Sequence, residues 1–289
     1  MIQDPCILTD VTKCIGCEEC VAACKRVHDL PAEDPPPRIE PSRDGLTDTR
    51  WTTIIRLPEG ANVRKHCRHC LDPACVSVCP VGALKKTPEG PVVYDKWLCI
   101  GCRYCMMACP YGIPRYEWRS PNPAVRKCTM CFEKVMAGEI EAPACVTACP
   151  EKATIFGSRE ELLAEAHRRI AAEPGKYIDH VWGEHEFGGS RVLYISHVDL
   201  GFLAWRDPRT LGHEALPGLT WAALRKVPYE FLGVGALMTG VWWVIDRRMR
   251  REEERRDGGE GRRAEEPPRP GAGGGKKPDD PTDGGGEER

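Results

Sequence analysis

Seventeen cysteines, sixteen of them in four short groups, constrain this 289-residue sequence more than any other feature. The first and third groups share the spacing C-x2-C-x2-C-x3-C, while the second and fourth keep the opening C-x2-C and closing C-x3-C pairs around a longer middle. Such a repeat leaves disulfides, zinc or iron–sulfur clusters as explanations. In chain order the groups are Cys14, Cys17, Cys20, Cys24; Cys67, Cys70, Cys75, Cys79; Cys99, Cys102, Cys105, Cys109; and Cys128, Cys131, Cys145, Cys149.

The spacing within each group favours iron–sulfur clusters over the two alternatives. Three cysteines at i, i+3 and i+6 can converge on one four-iron cluster, and the fourth cysteine then points to a different cluster. Zinc ribbons have no use for a third cysteine at i+6, and disulfide scaffolds are typical of short secreted chains. We therefore expect four [4Fe-4S] clusters. Pro80, Pro110 and Pro150 follow the closing cysteines as in bacterial ferredoxins, whereas Lys25 takes that place in the first group.

Regular secondary structure is predicted to be sparse, because cluster cysteines rather than an apolar core organise the chain. Hydrophobic residues make up 41% of the sequence, and the formal net charge of −2 gives no attraction to nucleic acid. Ser158 and Glu161 form a capping-box pattern that predicts a helix to about residue 172. The other predicted elements are an extended proline-rich loop over 31–41 and strands over 51–57, 92–94 and 191–197.

The C-terminal part of the chain has a different character. Residues 229–245 form an apolar run with one carboxylate, and the basic sequence DRRMRR follows directly. This pattern predicts a transmembrane anchor over 229–246 with the following residues inside the cell; a helix packed in a soluble core or on a partner is the alternative. Residues 247–289 are predicted to form a disordered cytoplasmic tail.

At the level of whole segments, the sequence resembles the four-cluster, ferredoxin-like electron-transfer subunits of membrane oxidoreductases. That family includes the β subunits of respiratory formate dehydrogenases, the iron–sulfur subunits of periplasmic nickel–iron hydrogenases and the B subunits of dimethyl-sulfoxide-reductase-type enzymes. The resemblance covers about residues 10–197. It is carried by DVTKCIGCEECVAACK, KHCRHCLDPACVSVCPVGALKK, VVYDKWLCIGCRYCMMACPYGIPRYEW, RKCTMCFEKV, PACVTACPEKATIFGSREEL and GGSRVLYISH.

The resemblance, and not the spacing alone, implies which cysteines share a cluster. The first group pairs with the fourth and the second with the third. The four implied ligand sets are set A, Cys14, Cys17, Cys20 and Cys149; set B, Cys24, Cys128, Cys131 and Cys145; set C, Cys67, Cys70, Cys75 and Cys109; and set D, Cys79, Cys99, Cys102 and Cys105.

The expected fold class is therefore α+β, with two interleaved bacterial-ferredoxin-like modules, one C-terminal transmembrane helix and a tail. The four-cluster domain should span 1–157, with 67–109 as an inner module inserted between 1–30 and 120–157. A helix–strand extension over 158–200 and a connector over 201–228 should lead to the anchor.

The resemblance implies electron relay between a catalytic subunit and a quinone-reactive membrane subunit. The catalytic partner would be a nickel–iron hydrogenase or a molybdenum or tungsten enzyme, and the chain itself would not be an enzyme. An alternative is a subunit of a dimethyl-sulfoxide-, polysulfide- or nitrite-reductase-type complex with electrons running the other way. Two other classes stay open: a subunit with its own active site, and a structural zinc protein.

Several residues outside the sixteen ligands invite a functional interpretation. Cys6 is expected to be a small buried hydrophobe; the alternatives are an extra ligand or a reactive thiol. His66 and His69 are expected to stabilise the loop or to contact the cysteine ligands, and not to bind a cluster themselves. Eight basic residues near the cysteines either raise cluster potentials or are ordinary surface charge: Lys25, Arg26, Arg64, Lys65, Arg68, Arg103, Arg126 and Lys127.

The expected location follows from the charge next to the anchor. The basic run after the span places the tail in the cytoplasm, so the cluster domain should lie in the periplasm, on a single-pass inner-membrane chain. Residues 1–10 carry no export signal. We therefore expect export of the folded, cofactor-loaded chain together with a catalytic partner that bears a twin-arginine signal.

Overall fold

A computed structural model describes residues 4–33, 44–121, 123–204 and 213–264, and it consists of two units, Met1–Arg225 and Lys226–Arg289. Most of the predicted proline-rich loop lies outside the described residues. The strands of the first unit are β1 (Pro5–Asp10), β2 (Thr53–Arg56), β3 (Asn62–Lys65), β4 (Leu84–Lys86), β5 (Val92–Tyr94), β6 (Arg115–Tyr116), β7 (Val125–Arg126), β8 (Thr154–Ser158) and β9 (Val192–Ile195). Its helices are α1 (Glu19–Val27), α2 (Ala74–Ser77), α3 (Tyr104–Ala108), α4 (Phe132–Met136), α5 (Ala144–Thr147), α6 (Arg159–Ala172) and α7 (Leu216–Leu224).

A three-stranded sheet in the order β8–β1–β9 forms the apolar centre of the first unit. Strand β1 runs antiparallel to β8 and parallel to β9, so that Leu8 lies opposite both Ile155 and Leu193. Every residue of β1 is buried because the strand is paired on both edges and packed on both faces. The sequence did not predict β1, whereas the strand predicted over 191–197 is present as the shorter β9.

The two faces of β1 contribute to two separate apolar clusters, since alternate side chains of a strand point to opposite faces. Ile7 packs in a cluster with Val63 and Tyr194. Cys6 and Leu8 pack on the other face against α6. Cys6 is fully buried, and burial raises the pKa of its thiol to about 12. The interpretation of Cys6 as a small buried hydrophobe is confirmed.

Helix α6 begins at the predicted capping box. The backbone N–H of Glu161 donates to Ser158 Oγ at 3.3 Å, and the backbone N–H of Ser158 donates to the Glu161 carboxylate at 3.3 Å. Leu162 and Ala166 are the buried side chains of the helix and face the central sheet. The prediction of a helix ending near residue 172 is confirmed.

Three two-stranded hairpins, β2–β3, β4–β5 and β6–β7, complete the strands of the first unit. The predicted strand over 51–57 is the shorter β2, and the one over 92–94 is β5 with the predicted bounds. Helix α1 packs against α5, and α2 packs against α3. The first cysteine group is therefore a neighbour of the fourth, and the second a neighbour of the third, as two interleaved modules require.

The second unit contains one long helix, α8 (Val227–Ala264). It continues 18 residues beyond the predicted end of the anchor at 246, so the prediction of disorder is wrong for 247–264. Arginine and glutamate dominate 247–256, and such residues favour helix; Arg250 also pairs with Asp246 at 2.8 Å across one turn. Residues 265–289 of the predicted tail lie outside the described residues.

The anchor predicted over 229–246 is not confirmed. Within the described ranges, no helix combines the length and the apolar character that crossing a bilayer requires. The predicted connector over 201–228 contains α7 and the start of α8, while 205–212 lie outside the described part of the chain.

Candidate metal centres

One backbone turn recurs in all four cysteine groups. The residue just before the second cysteine of each C-x2-C pair has a left-handed conformation, and only two of the four are glycine. The turn reverses the chain between the two cysteines, so that both can face the same centre. The positions are Gly16 (φ 71°), His69 (φ 47°), Gly101 (φ 72°) and Met130 (φ 60°). Non-glycine residues adopt this conformation at a cost, and sequence reasoning could not identify the turn at His69 and Met130.

The first of these turns gives a test of how closely the loop is packed. A methyl group on Gly16 would lie 2.5 Å from Arg56 Nη1 and from Asn62 Oδ1, while one on Gly60 would meet nothing within 4 Å. Both glycines have positive φ, so Gly60→Ala should lose about 1 kcal/mol of unfolding free energy. We expect Gly16→Ala to lose about 2 kcal/mol or more, as measured by chemical denaturation. Equal losses would show that the packing around Gly16 does not matter.

The closing cysteines of the second, third and fourth groups lie in a second recurring turn. Proline follows each cysteine, and the residue two positions after that proline has positive φ: Gly82, Gly112 and Lys152. The turn directs backbone N–H groups at sulfur, as in the 3.3 Å hydrogen bond from Ala153 N–H to Cys149 Sγ. Burial acts to raise the pKa of Cys79, but the N–H groups of residues 81–84 outweigh it and the pKa is lowered. At Cys79 the turn therefore stabilises the thiolate.

The first group departs from that turn because Lys25 takes the place of proline. Without proline, α1 continues past Cys24 to Val27. The Lys25 side chain is buried, and its ammonium group donates to the carbonyl oxygens of Pro31 at 2.8 Å and Thr49 at 3.0 Å. The lysine therefore joins α1 to two later loops, a role that proline could not fill.

The thiols of sets A and B lie in two adjoining groups. All four cysteines of set A line one small cavity, which Ile54 and Arg64 also border. In set B, burial raises the pKa of Cys24 well above its ordinary value, and the nearby thiols of Cys128, Cys145 and Cys131 add to the effect. Both sets thus combine cysteines that lie more than a hundred residues apart in the sequence.

Sets C and D are gathered in the same manner. Burial raises the pKa of Cys70, and Cys109, Cys67 and Cys75 raise it further. Burial likewise raises the pKa of Cys105 to about 11, with contributions from Cys102, Cys99 and Cys79. The structure brings together each of the four combinations that the resemblance implied.

The four sets follow one another in a row. Cys20 of set A interacts electrostatically with Cys145 of set B. Cys128 of set B interacts with Cys67 of set C, and Cys75 of set C interacts with Cys105 of set D. The order along the row is therefore A–B–C–D. Cys17 is exposed at one end, and Trp97, Ile100 and Met107 are exposed beside set D at the other.

The chemistry of the donor sets fits four-iron clusters. Each set offers four thiols, and cluster sulfurs are commonly stabilised by hydrogen bonds such as those at Cys149 and at Cys128, which accepts from Met130 N–H at 3.3 Å. Among the described residues, no three His, Cys, Asp or Glu side chains lie close enough to hold a single metal ion. Four thiolates around one zinc ion each lie about 2.3 Å from it, whereas each thiolate of a four-iron cluster binds its own iron atom.

The two histidines of the second group are completely buried. His69 Nδ1 accepts a hydrogen bond from Val92 N–H at 3.0 Å, which joins the loop to β5. Burial lowers the pKa of both His66 and His69 well below the ordinary value, so both are neutral. Both histidines are thus buried inside the second cysteine loop, in agreement with the structural role expected for them.

Four of the eight basic residues near the cysteines are buried, and the other four are exposed or half-buried. Arg26 and Arg103 are exposed, and Lys65 and Arg126 are half-buried and ion-paired, with Asp44 and Glu117 respectively. The interpretation as solvated charge is wrong for the remaining four, which are buried among the loops: Lys25, Arg64, Arg68 and Lys127.

Comparison with known proteins adds two kinds of similarity. Residues 60–159 match the family model described as a 4Fe-4S dicluster domain. The chain is 39% identical over 232 residues to the hydrogenase-2 operon protein HybA of Escherichia coli O157:H7, an alignment that covers 66% of this chain and 70% of that protein.

Two relatives from Escherichia coli (strain K12) carry other names. The iron–sulfur subunit of the nitrate-inducible formate dehydrogenase is 35% identical over 202 residues, covering 66% of this chain and 67% of the relative. The probable anaerobic dimethyl sulfoxide reductase chain YnfG is 40% identical over 163 residues, covering 56% and 77%. The chain spans about two thirds of the length of several curated relatives that it matches.

Proposed function

Because this chain belongs to the family of iron–sulfur electron-transfer subunits of oxidoreductase complexes, we propose that it relays electrons through four [4Fe-4S] clusters held by sets A to D. One end of the relay receives electrons from a catalytic subunit, and the other passes them to a quinone-reactive membrane subunit. The chain itself converts no substrate.

The protein's own contribution is to hold, insulate and stabilise the charge carriers. Sets A to D supply sixteen thiolates, and each cluster, when bound, supplies a site that accepts and gives up one electron. The backbone N–H groups of Met130 and Ala153 donate hydrogen bonds to the sulfur atoms of Cys128 and Cys149. Most cysteines of the inner sets B and C are buried, which keeps water away from these sets: Cys24, Cys67, Cys109, Cys131 and Cys145.

The observation that carries the proposal is the unbroken row A–B–C–D. Neighbouring sets share electrostatic contacts at Cys20–Cys145, Cys128–Cys67 and Cys75–Cys105, so each cluster would have a neighbour on the path. A storage or structural role would not require such a row. The exposed apolar side chains Trp97, Ile100 and Met107 beside set D would allow a partner to exclude water from that end.

The metal content of the complex, purified anaerobically from native membranes through a tag on this chain, tests the proposal. Four clusters should contribute about 16 iron atoms. Nickel would identify a hydrogenase-type partner, and molybdenum or tungsten a formate-dehydrogenase-type or reductase-type partner. Zinc in place of iron would overturn the proposal.

A reductase complex with the opposite direction of electron flow is the second candidate function. It is favoured by the 40% identity to a probable dimethyl sulfoxide reductase chain. Mixing the purified complex with a reduced quinone analogue and then with candidate terminal acceptors distinguishes the two. Oxidation of the quinol that depends on an acceptor supports the reductase, and reduction of the quinone by hydrogen or formate supports the first proposal.

We further propose that the apolar part of α8 attaches the chain to the inner membrane, with the cluster domain on the periplasmic side. Leu232, Leu237 and Val241 are exposed there, and an exposed apolar helix is favourable only against lipid or a partner. Trp242 and Trp243 precede the arginines, as at a membrane interface.

Changing two apolar residues of α8 tests the attachment. Leu237→Asp with Val241→Asp should move most of the chain from the salt-washed membrane fraction to the supernatant, because buried carboxylates in lipid are costly. Glu252→Gln with Glu253→Gln, in the polar part of the same helix, should leave the chain in the membrane fraction. Retention of the aspartate variant would contradict the attachment. Protease added to intact spheroplasts should cut the cluster domain, and its protection in chains freed of partners would contradict the orientation.

A further inference from the structure

Arg64 is a buried cation at the centre of strand β3. Its side chain is 2% exposed, and β3 pairs it with Ile54 of β2. Its backbone carbonyl accepts a 2.8 Å hydrogen bond from the Tyr194 hydroxyl, which is itself fully buried on β9. The position of Arg64 is thus fixed from two sides, and its guanidinium group cannot reach solvent.

The guanidinium group of Arg64 is poorly satisfied by other protein groups. Its Nη2 donates to Thr9 Oγ1 at a long 3.5 Å, while Nε and Nη1 have no hydrogen-bond partner among the described residues. Glu18 borders the same cavity, but its Oε1 pairs with Arg56 at 3.1 Å, its Oε2 has no hydrogen-bond partner, and the carboxylate forms no ion pair with Arg64. A buried cation without an anion is strongly unfavourable, so the missing partner is an anion that occupies this region.

The side chains facing Arg64 identify that anion. Arg64 borders the cavity lined by all four thiols of set A. Cys20 of set A and Cys145 and Cys128 of set B lie close enough to interact electrostatically with its guanidinium group. The guanidinium group therefore lies between two thiolate sets, each of which would carry a net negative charge with its cluster bound.

The other buried arginines of the described residues each have a compensating partner, although Arg191 and Arg50 also retain guanidinium nitrogens without a hydrogen bond. Arg191 pairs with Asp4, and Arg50 pairs with Glu33. Arg68 lies over the rings of Tyr194 and Tyr111, with its guanidinium carbon 4.1 Å and 5.0 Å from the ring centres. Arg64 differs from these three because, among the described residues, it forms no ion pair with a carboxylate and its guanidinium group lies over no aromatic ring.

We propose that Arg64 is the shared counter-charge of the two clusters held by sets A and B, and that it raises the reduction potential of both. This inference rests on the proposed function. Reduction adds one negative charge to a cluster, and a fixed cation in a low-dielectric interior stabilises the reduced form more than the oxidised form. Because the same cation faces both sets, it makes sets A and B the better electron acceptors in the row.

Redox titration of the purified complex, followed by electron paramagnetic resonance, tests the proposal. The signals of clusters A and B are first assigned by their loss in Cys149→Ala and Cys145→Ala. Arg64→Met keeps the length of the side chain but removes the charge, and Arg64→Lys keeps the charge. Arg191→Met removes a buried arginine that is already paired with Asp4, and serves as the matched control.

Arg64→Met should lower the midpoint potentials of clusters A and B by at least 59 mV, which is a tenfold change in the reduction equilibrium of a one-electron couple. The midpoint potentials of clusters C and D should shift by less. Arg64→Lys should retain most of the native potentials, and Arg191→Met should leave A and B unchanged. If Arg64→Met instead loses the iron of A and B and Arg64→Lys retains it, the charge requirement is likewise supported.

Three results would overturn the proposal. These are unchanged potentials in Arg64→Met, an equal shift of all four clusters, and loss of A and B in Arg64→Lys as complete as in Arg64→Met. Iron analysis of the native complex separates this inference from the proposed function. If the native complex contains about 16 iron atoms and Arg64→Met leaves the potentials unaltered, only the role of Arg64 is rejected. Absence of iron from the native complex rejects the relay.

Discussion

A chain that carries both Cys14→Ala and Cys149→Ala should lose no more iron than one that carries Cys149→Ala alone. The two cysteines belong to the first and fourth groups but line the same cavity with Cys17 and Cys20. Removing one ligand of a four-iron cluster should already release that cluster, so the iron content falls from about 16 to about 12 atoms per chain in both variants. One set of paramagnetic signals should disappear with it.

The contrasting pair is Cys145→Ala with Cys149→Ala. These residues are four positions apart in the same group, but Cys145 lies with Cys24 and Cys128 in set B. The double variant should therefore retain only about 8 iron atoms. If the four cysteines of each sequence group held one cluster between them, the two double variants would show the reverse pattern, and the assignment of sets would be wrong. Iron analysis and quantitative electron paramagnetic resonance read out both cases.

Cys6→Ala is the matched control for these variants. Cys6 is also a buried cysteine, but it packs in the apolar cluster beneath α6 and not with the sixteen ligands. The variant should keep all of its iron and lose about 1 kcal/mol of stability from the smaller buried side chain. Loss of iron from this variant would mean that alanine at any buried cysteine disturbs the clusters indirectly.

The sequence was sufficient for the ligand positions because their spacing repeats, but not for the backbone that holds them. Gly16 and Gly101 mark the left-handed turn in two groups, whereas His69 and Met130 adopt the same turn without a glycine to indicate it. The turn at those positions is imposed by the surrounding loop rather than by local preference.

Elements with weak local signals were also missed. Strand β1 is a six-residue segment that carries a proline, a cysteine and an aspartate, and it is a strand because β8 and β9 pair with it on both edges. The predicted anchor ends at 246, whereas α8 continues to Ala264 because the arginine and glutamate residues that follow have high helix propensity. The burial of Arg64 could not be predicted, because a basic residue three positions from Cys67 is ordinarily exposed.

The elements around the thiol sets are too small to be stable alone. Helices α2 to α5 have four or five residues each, and isolated helices of that length do not form in water. The hairpins β4–β5 and β6–β7 have only two short strands each, and isolated two-stranded hairpins are marginal. The central sheet is different, since β1, β8 and β9 pack against α6 around buried Leu8, Leu162 and Ala166.

Removing the iron should therefore unfold one part of the first unit far more than the other. Once the clusters are removed by oxidation and chelation under denaturant-free conditions, amide protons of β4, β5 and β7 should exchange at least a hundredfold faster, equivalent to about 2.8 kcal/mol at 1.4 kcal/mol per tenfold. Amides of β1, β9 and the centre of α6 should lose less protection, because their hydrogen bonds lie on the apolar core. Hydrogen exchange followed by mass spectrometry resolves the two regions. Equal loss of protection in both would mean that the clusters stabilise the whole unit as one cooperative body, since metal binding and folding would then be a single equilibrium.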